Sequence, residues 1–195
     1  MKKLFLIFIL ILSSCDNPPP PEGPDISFTK YQPIYFDVAK IDIVDEYKSP
    51  MRMPNVEHLL PISPAEAMHI WVKDRLHGAG MENRMQVIIQ DASVKVTQLE
   101  KPEGMTGFLT NSQDKKYDAK LAVEIRIYSP ESAISQASVT ASVTRSITID
   151  EKSSVAERTA IFKQFIHDLM EGMNAQLEQN IYMYFGKYIS YSHSP

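Results

Sequence analysis

The chain has 195 residues, 20 Lys and Arg against 24 Asp and Glu for a formal charge of −4, and a single cysteine. That length suits one domain with a substantial core. An acidic chain is a poor match for nucleic acid, whose affinity rests on cationic neutralisation of phosphates, and one cysteine excludes an intramolecular disulfide.

Lys2 and Lys3 precede nine unbroken apolar residues, 4–12. This matches the charged and apolar regions of a secretory signal and is about half the ~20 residues a spanning helix needs. The stretch closes on Leu12-Ser13-Ser14-Cys15. That order resembles the lipobox of bacterial lipoproteins, which implies a diacylglyceryl group on the Cys15 sulfur and cleavage just before it. Residues 1–14 are therefore expected to be a lipoprotein signal peptide; a cleaved signal followed by a free thiol is the alternative. Loss of residues 1–14 removes Lys2 and Lys3 and moves the formal charge from −4 to −6.

Asp16 and Asn17 follow, then Pro18, Pro19, Pro20, Pro21, Gly23 and Pro24. Proline runs favour extended polyproline II, so residues 15–30 are expected to form a lipid-anchored stalk and 31–195 a single α+β domain. An Asp directly after the lipidated cysteine, with Asn next, resembles the signal for retention at the inner membrane. A periplasmic location with the inner membrane favoured over the outer is what that resemblance implies.

Residues 34–47, IYFDVAKIDIVDEY, carry the β-branched and aromatic content of a strand. Their apolar parity changes near Ala39-Lys40, for which a β-bulge is the simplest expectation. Residues 50–61, PMRMPNVEHLLP, hold three prolines and cannot be regular structure, yet they are half apolar and are expected to pack on the body. Ser63-Pro64-Ala65-Glu66 combines an N-cap serine, proline at N1 and glutamate at N3. This opens a helix to about Leu76 that buries Ala67, Ile70 and Trp71 and stops at Gly78 and Gly80.

Residues 85–99 read as a strand with a second parity change at Asp91, residues 117–128 as a cleanly alternating strand, and residues 137–149 as another. Ser154-Val155-Ala156-Glu157 is a second capping box. From Phe162 to Tyr188 the apolar residues recur at three and four, predicting a helix of about 35 residues with an irregularity at Gly172. The order β-α-β-β-β-α predicts a two-layer sandwich: a four-stranded, mostly antiparallel sheet with two helices on one face.

That order behind a lipobox and a proline-rich stretch is similar to small envelope lipoproteins, among them the lipopolysaccharide-assembly lipoprotein and the auxiliary lipoproteins of lipid-transporting ABC systems. The stretches NVEHLLPISPAEAMHIWVKDRL (55–76) and YDAKLAVEIRI (117–127) resemble more closely an uncharacterised alphaproteobacterial-type periplasmic lipoprotein family. The resemblance implies no active-site residues. The Asp16-Asn17 pair departs from what an outer-membrane assembly partner is expected to carry.

No catalytic, cofactor-binding or metal-binding set is assigned. His58, His69, His77, His167 and His193 lack metal-ligand spacing, and the seven glycines form no phosphate cradle. Asp37, Asp42, Asp45 and Glu46 divide between two strand faces. Arg145 falls at an inward parity between Val143 and Ile147, either snorkelling to the sheet edge or serving as an anion contact.

Two features point to contacts rather than chemistry. The connection at 101–116 is long for a hairpin and apolar at its centre, with Met105, Phe108 and Leu109, which either contact a partner or lipid or tuck against the body. The C-terminal IYMYFGKYISY places Tyr182, Tyr184, Phe185, Tyr188 and Tyr191 around too much of a helix for one buried stripe, which suits a protein or a membrane interface, with core packing of half of them as the alternative. The resulting expectation is a non-enzymatic, lipid-anchored accessory or scaffold subunit of a cell-envelope complex, attached to the membrane through its N-terminal lipid and binding an envelope protein. A small-ligand or lipid-binding module of a lipid-transport system is the alternative.

Overall fold

The computed structural model describes residues 23–99 and 114–191. Two strands open the body, β1 (Ile34–Phe36) and β2 (Lys40–Asp45), followed by helix α1 (Pro64–Arg75) and strands β3 (Leu76–Gly78), β4 (Arg84–Gln98), β5 (Lys115–Tyr128) and β6 (Ala137–Ile149). Helix α2 (Val155–Tyr184) closes the order. The main sheet runs β2-β4-β5-β6, with β2 parallel to β4 and the other pairs antiparallel. Both helices cover one face, so the molecule is an α+β two-layer sandwich.

The parity change at 34–47 has a cause other than a bulge. The chain breaks there into β1 and β2, which join different sheets: β1 pairs in parallel with β3, and β2 with β4. The three residues between them carry Val38 into the core while the strand direction is reset. The second parity change is a bulge, as expected: register shifts between Ile89 and Asp91, which returns Ala92, Val94 and Val96 to the face already occupied by Val87 and Ile89.

Both capping boxes form. Ser63 accepts from the Glu66 N–H at 3.2 Å and Glu66 accepts from the Ser63 N–H at 2.8 Å; Ser154 and Glu157 reciprocate at 3.2 and 2.7 Å. Helix α1 ends at Arg75 rather than at the glycines, because Leu76–Gly78 is drawn into extended pairing with β1. Helix α2 is 30 residues long and continuous through Gly172. It stops short of Tyr188, which sits in a 3-10 turn, Gly186–Tyr188, whose following residues return to β1. There Ser190 donates to the Tyr35 carbonyl at 2.8 Å and Asp37 to the Tyr188 carbonyl at 2.7 Å.

The body also begins earlier than residue 31. Phe28 is 1% exposed within the core, and its N–H donates to Asp74 Oδ2 at 2.8 Å. Gly23, in a left-handed conformation at φ +70°, lies so close to α2 that a Cβ there would sit 2.9 Å from the Ala160 carbonyl oxygen. Residues 23–30 are thus laid onto the helices instead of belonging to a stalk.

Candidate functional site

The contacts between β6 and α2 set the long axis of the molecule. Ser142 N–H donates to Gln176 Oε1 at 3.1 Å and Asn180 Nδ2 donates to the Thr140 carbonyl at 2.8 Å, while Phe162 at the other end meets Tyr117 edge-on at 5.0 Å. Helix α2 therefore runs antiparallel to β6. Its start shares one end of the sheet with the first residues of β5, and its finish shares the opposite end with the first residues of β6. Gly23 packs at Ala160, near the start; Tyr184 lies 24 residues further on, ~36 Å away at 1.5 Å per residue.

The far end carries the aromatic cluster read from the sequence, but only part of it faces outward. Tyr184 is 62% exposed, with Tyr182, Met183 and Tyr191 also exposed. Phe185 and Tyr188, expected among the contact residues, are core residues instead. The Phe185 ring packs edge-on against Phe36 and Tyr188, and the Tyr188 hydroxyl donates to Gln136 at 3.1 Å. The chain reversal after Tyr184 turns those two rings inward and, among the described residues, leaves the tyrosines of the last helical turn without a covering element. Tyr184 also borders a groove lined by Ser138, Val139, Thr140 and Asn180.

The near end carries a different surface. The 50–61 connection packs by its backbone along β4 beyond the reach of β2: Val56 donates to the Val94 carbonyl at 2.8 Å and Val96 to the Pro54 carbonyl at 2.9 Å. Val56 is buried by this pairing, while Met51, Met53 and Leu59 stay exposed, so the expected packing of this segment holds for only part of it. A groove of about 180 Å³ lined by Met53, Val56, Leu59, Leu60, Val96, Tyr117 and Phe162 lies beneath them. Met105, Phe108 and Leu109 lie outside the described residues, as do Cys15, Asp16 and Asn17.

Arg145 lies on the helix-facing side of β6, opposite Ala119, yet it is exposed because β6 is an edge strand. Its guanidinium passes over α2 at Gly172, where a Cβ would meet Arg145 Nη2 at 3.0 Å, and Nη1 donates to the Thr144 carbonyl at 3.1 Å. The lack of a side chain at 172 lets the guanidinium lie there without being displaced by a few tenths of an ångström. Arg145, Gln176 and Asn180 thereby occupy the outward backbone groups of Thr144, Ser142 and Thr140 in turn, which shields the edge against strand addition.

Three polar residues of the interior were not singled out by sequence. Glu57 is buried and accepts from Tyr47 Oη at 2.7 Å, Ser49 Oγ at 2.5 Å and Val94 N–H at 3.1 Å. Burial alone would raise its carboxyl; the hydrogen bonds from Ser49, Tyr47 and the backbone outweigh burial and hold it below the usual range. Burial and the adjacent Glu57 push the Tyr47 hydroxyl up. Asn174 accepts from Trp71, and Arg75 is fully buried, reaching Glu178 at 2.9 Å and the Gln32 carbonyl. A signal existed for Asn174, a polar residue three before Leu177 and four after Met170 on the apolar stripe of α2.

Among the described residues no group of three or more His, Cys, Asp or Glu is placed to hold a metal, and no helix is long and apolar enough to cross a membrane. The closest histidine contact is His69 Nε2 with Asp45 at 3.0 Å, a surface pair.

No protein-family model matches the chain, and no curated protein does. Among solved structures, it is similar to a homolog of the neuraminyllactose-binding hemagglutinin from Helicobacter pylori, at 10% identity and a TM-score of 0.40, over 82% of this chain and 97% of that one. A minor lipoprotein from Acinetobacter baumannii matches at 12% identity and a TM-score of 0.36, over 76% and 95%. Rare lipoprotein B from Shewanella oneidensis matches at 13% and 0.26, over 73% and 98%. Superpositions this loose transfer no property of those proteins to this one.

Proposed function

We propose that the chain is a lipid-anchored periplasmic accessory subunit of a cell-envelope complex, non-enzymatic, held through Cys15 and binding an envelope protein with the far end of its long helix. The observation that carries this reading is the exposure of Tyr182, Met183 and Tyr184 on consecutive residues at the end of α2 opposite Gly23. Tyrosine and methionine are enriched at protein interfaces, and large apolar side chains set together in water are costly unless covered. The Leu12-Ser13-Ser14-Cys15 order supplies the anchor, and Asp16-Asn17 favours retention at the inner membrane.

A photo-crosslinking residue at position 184 in cells tests the partner. The expected result is one discrete adduct of defined mass, lost when Tyr182 and Met183 are changed to serine; a chain that crosslinks to nothing there counts against the reading. Labelled fatty acid reports the anchor separately, with label expected on the wild type and absent from Cys15→Ser. Membrane fractionation tests the inner-membrane assignment. The alternative, a small-ligand or lipid-binding module, requires a copurifying small molecule in native mass spectrometry.

A further inference from the structure

We infer that the near end of the molecule, the face bearing Met51, Met53 and Leu59, lies against the lipid bilayer that holds the Cys15 anchor; this rests on the lipid attachment proposed above. Covalent reach limits the geometry first. From Cys15 to Gly23 there are eight Cα steps, at most about 29 Å of chain. Gly23 is fixed on the body at Ala160 and Lys163, so whatever surrounds Gly23 stays within that distance of the anchored lipid.

What surrounds it is largely apolar, with lysines at the border. A groove beside the entering chain is lined by Pro24, Ile26, Pro61, Ile62 and Ile70, together with Lys163 and Asp25. The next groove is lined by Met53, Leu59, Leu60 and Phe162, together with Lys115. Consecutive residues divide between the two, Leu60 with Pro61 and Phe162 with Lys163, so they form neighbouring parts of one surface. Met53 and Leu59 above it are each 68% exposed. Met51 is held at φ +55°, a left-handed conformation that a side-chain-bearing residue seldom adopts, and its side chain stays mostly exposed. Unbranched, polarizable methionines and a leucine at a loop tip suit the irregular boundary of headgroups and acyl chains.

The tether keeps the anchored bilayer within about 29 Å of Gly23 at all times, whereas a protein occupant of this face would have to arrive independently. The lipid surface is the apolar partner that the tether brings to this face. The exposed tyrosines are then directed away from it, along the length of α2.

The test uses the lipidated full chain in vesicles of phosphatidylethanolamine and phosphatidylglycerol. Single nitroxide labels are placed at Met53→Cys or Leu59→Cys, and at Met81→Cys or Ile134→Cys as references. Met81 precedes β4 and Ile134 precedes β6, so both references lie at the opposite end of the sheet, and all four parent side chains are exposed. Equal thermal midpoints for the labelled chains confirm that each remains folded. The expected result is severalfold lower collision with a water-soluble nickel reagent, and higher collision with oxygen, at 53 and 59 than at 81 and 134. Equal accessibilities at all four positions, with the lipid present by intact mass, overturn the membrane contact alone. An intact mass without lipid on Cys15 overturns the anchor and this contact together.

Discussion

The indole N–H of Trp71 donates to Asn174 Oδ1 at 2.8 Å, with both side chains buried, and this bond, beside that of Arg75 to Glu178, ties α1 to α2 across 103 residues of sequence. Asn174→Ala leaves the indole donor unpaired in a site closed to water. The expected cost is about 1–3 kcal/mol, read as a lower urea midpoint at unchanged m-value. Trp71→Phe and Asn174→Ala should couple in a double-mutant cycle, because the second loses little once the first has removed the donor. An Asn174→Ala chain as stable as the wild type would show that the bond is replaced by water.

Phe28 gives the measure of where the body starts. Its ring is stacked on Tyr31 with centroids 6.4 Å apart, and Tyr31 in turn donates its hydroxyl to Glu171 and lies under the Arg75 guanidinium. Phe28→Ala is expected to destabilise the whole domain by about 3–5 kcal/mol, the usual cost of emptying a buried aromatic site. A loss under about 1 kcal/mol would return residues 23–30 to the stalk.

The elements that depend on local pattern were legible in the sequence. Both capping boxes, the alternation of β5 and β6 and the bulge at Asp91 follow from spacing within a dozen residues. What escaped depends on contacts made far along the chain. A parity change at 38–40 has two physical solutions, a bulge or a break between strands, and pairing of Ile34 with Leu76 and Lys40 with Arg84 decides for the break. Residues 23–30 follow a proline-rich run and read with it as a spacer, whereas the buried Phe28 and the packing of Gly23 on Ala160 place them on the body. In IYMYFGKYISY the aromatic residues were visible, but the reversal at Phe185 sorted Phe185 and Tyr188 inward and the others outward. Glu57 gave no signal, since its Tyr47 and Ser49 donors become neighbours only when the proline-rich connection folds back.

Glu57 makes a pH prediction with a defined sign. Its folded carboxyl is held below the ordinary glutamate value of about 4.3, so its contribution is fully present above that value and is lost as pH falls through the lower, folded one. Glu57→Gln keeps the shape but turns a donor toward the Val94 N–H or forfeits an acceptor for Tyr47 and Ser49. Urea midpoints of wild type and Glu57→Gln should differ most near pH 7 and draw together as pH falls below the ordinary glutamate value. Asp91 and Glu171 are also held low and steepen the acid limb of both chains equally. A difference that stays constant with pH would show that the carboxylate charge contributes nothing.

The edge of β6 gives the last prediction. Gln176 and Asn180, one helical turn apart on α2, accept from Ser142 N–H and donate to the Thr140 carbonyl, and Arg145 covers the Thr144 carbonyl next along the strand. These partners are solvent-accessible, so each contributes only about 0.5–1.5 kcal/mol to stability. Their larger effect is to deny a second chain the row of free backbone groups that an edge strand presents. The Gln176→Ala, Asn180→Ala double variant should therefore unfold at nearly the wild-type midpoint but self-associate with rising concentration in sedimentation velocity. Restoring one partner should reduce that association. If the double variant stays monomeric at the concentrations where it is folded, the edge is protected by its twist and by the bulk of α2, and the side-chain bonds are incidental.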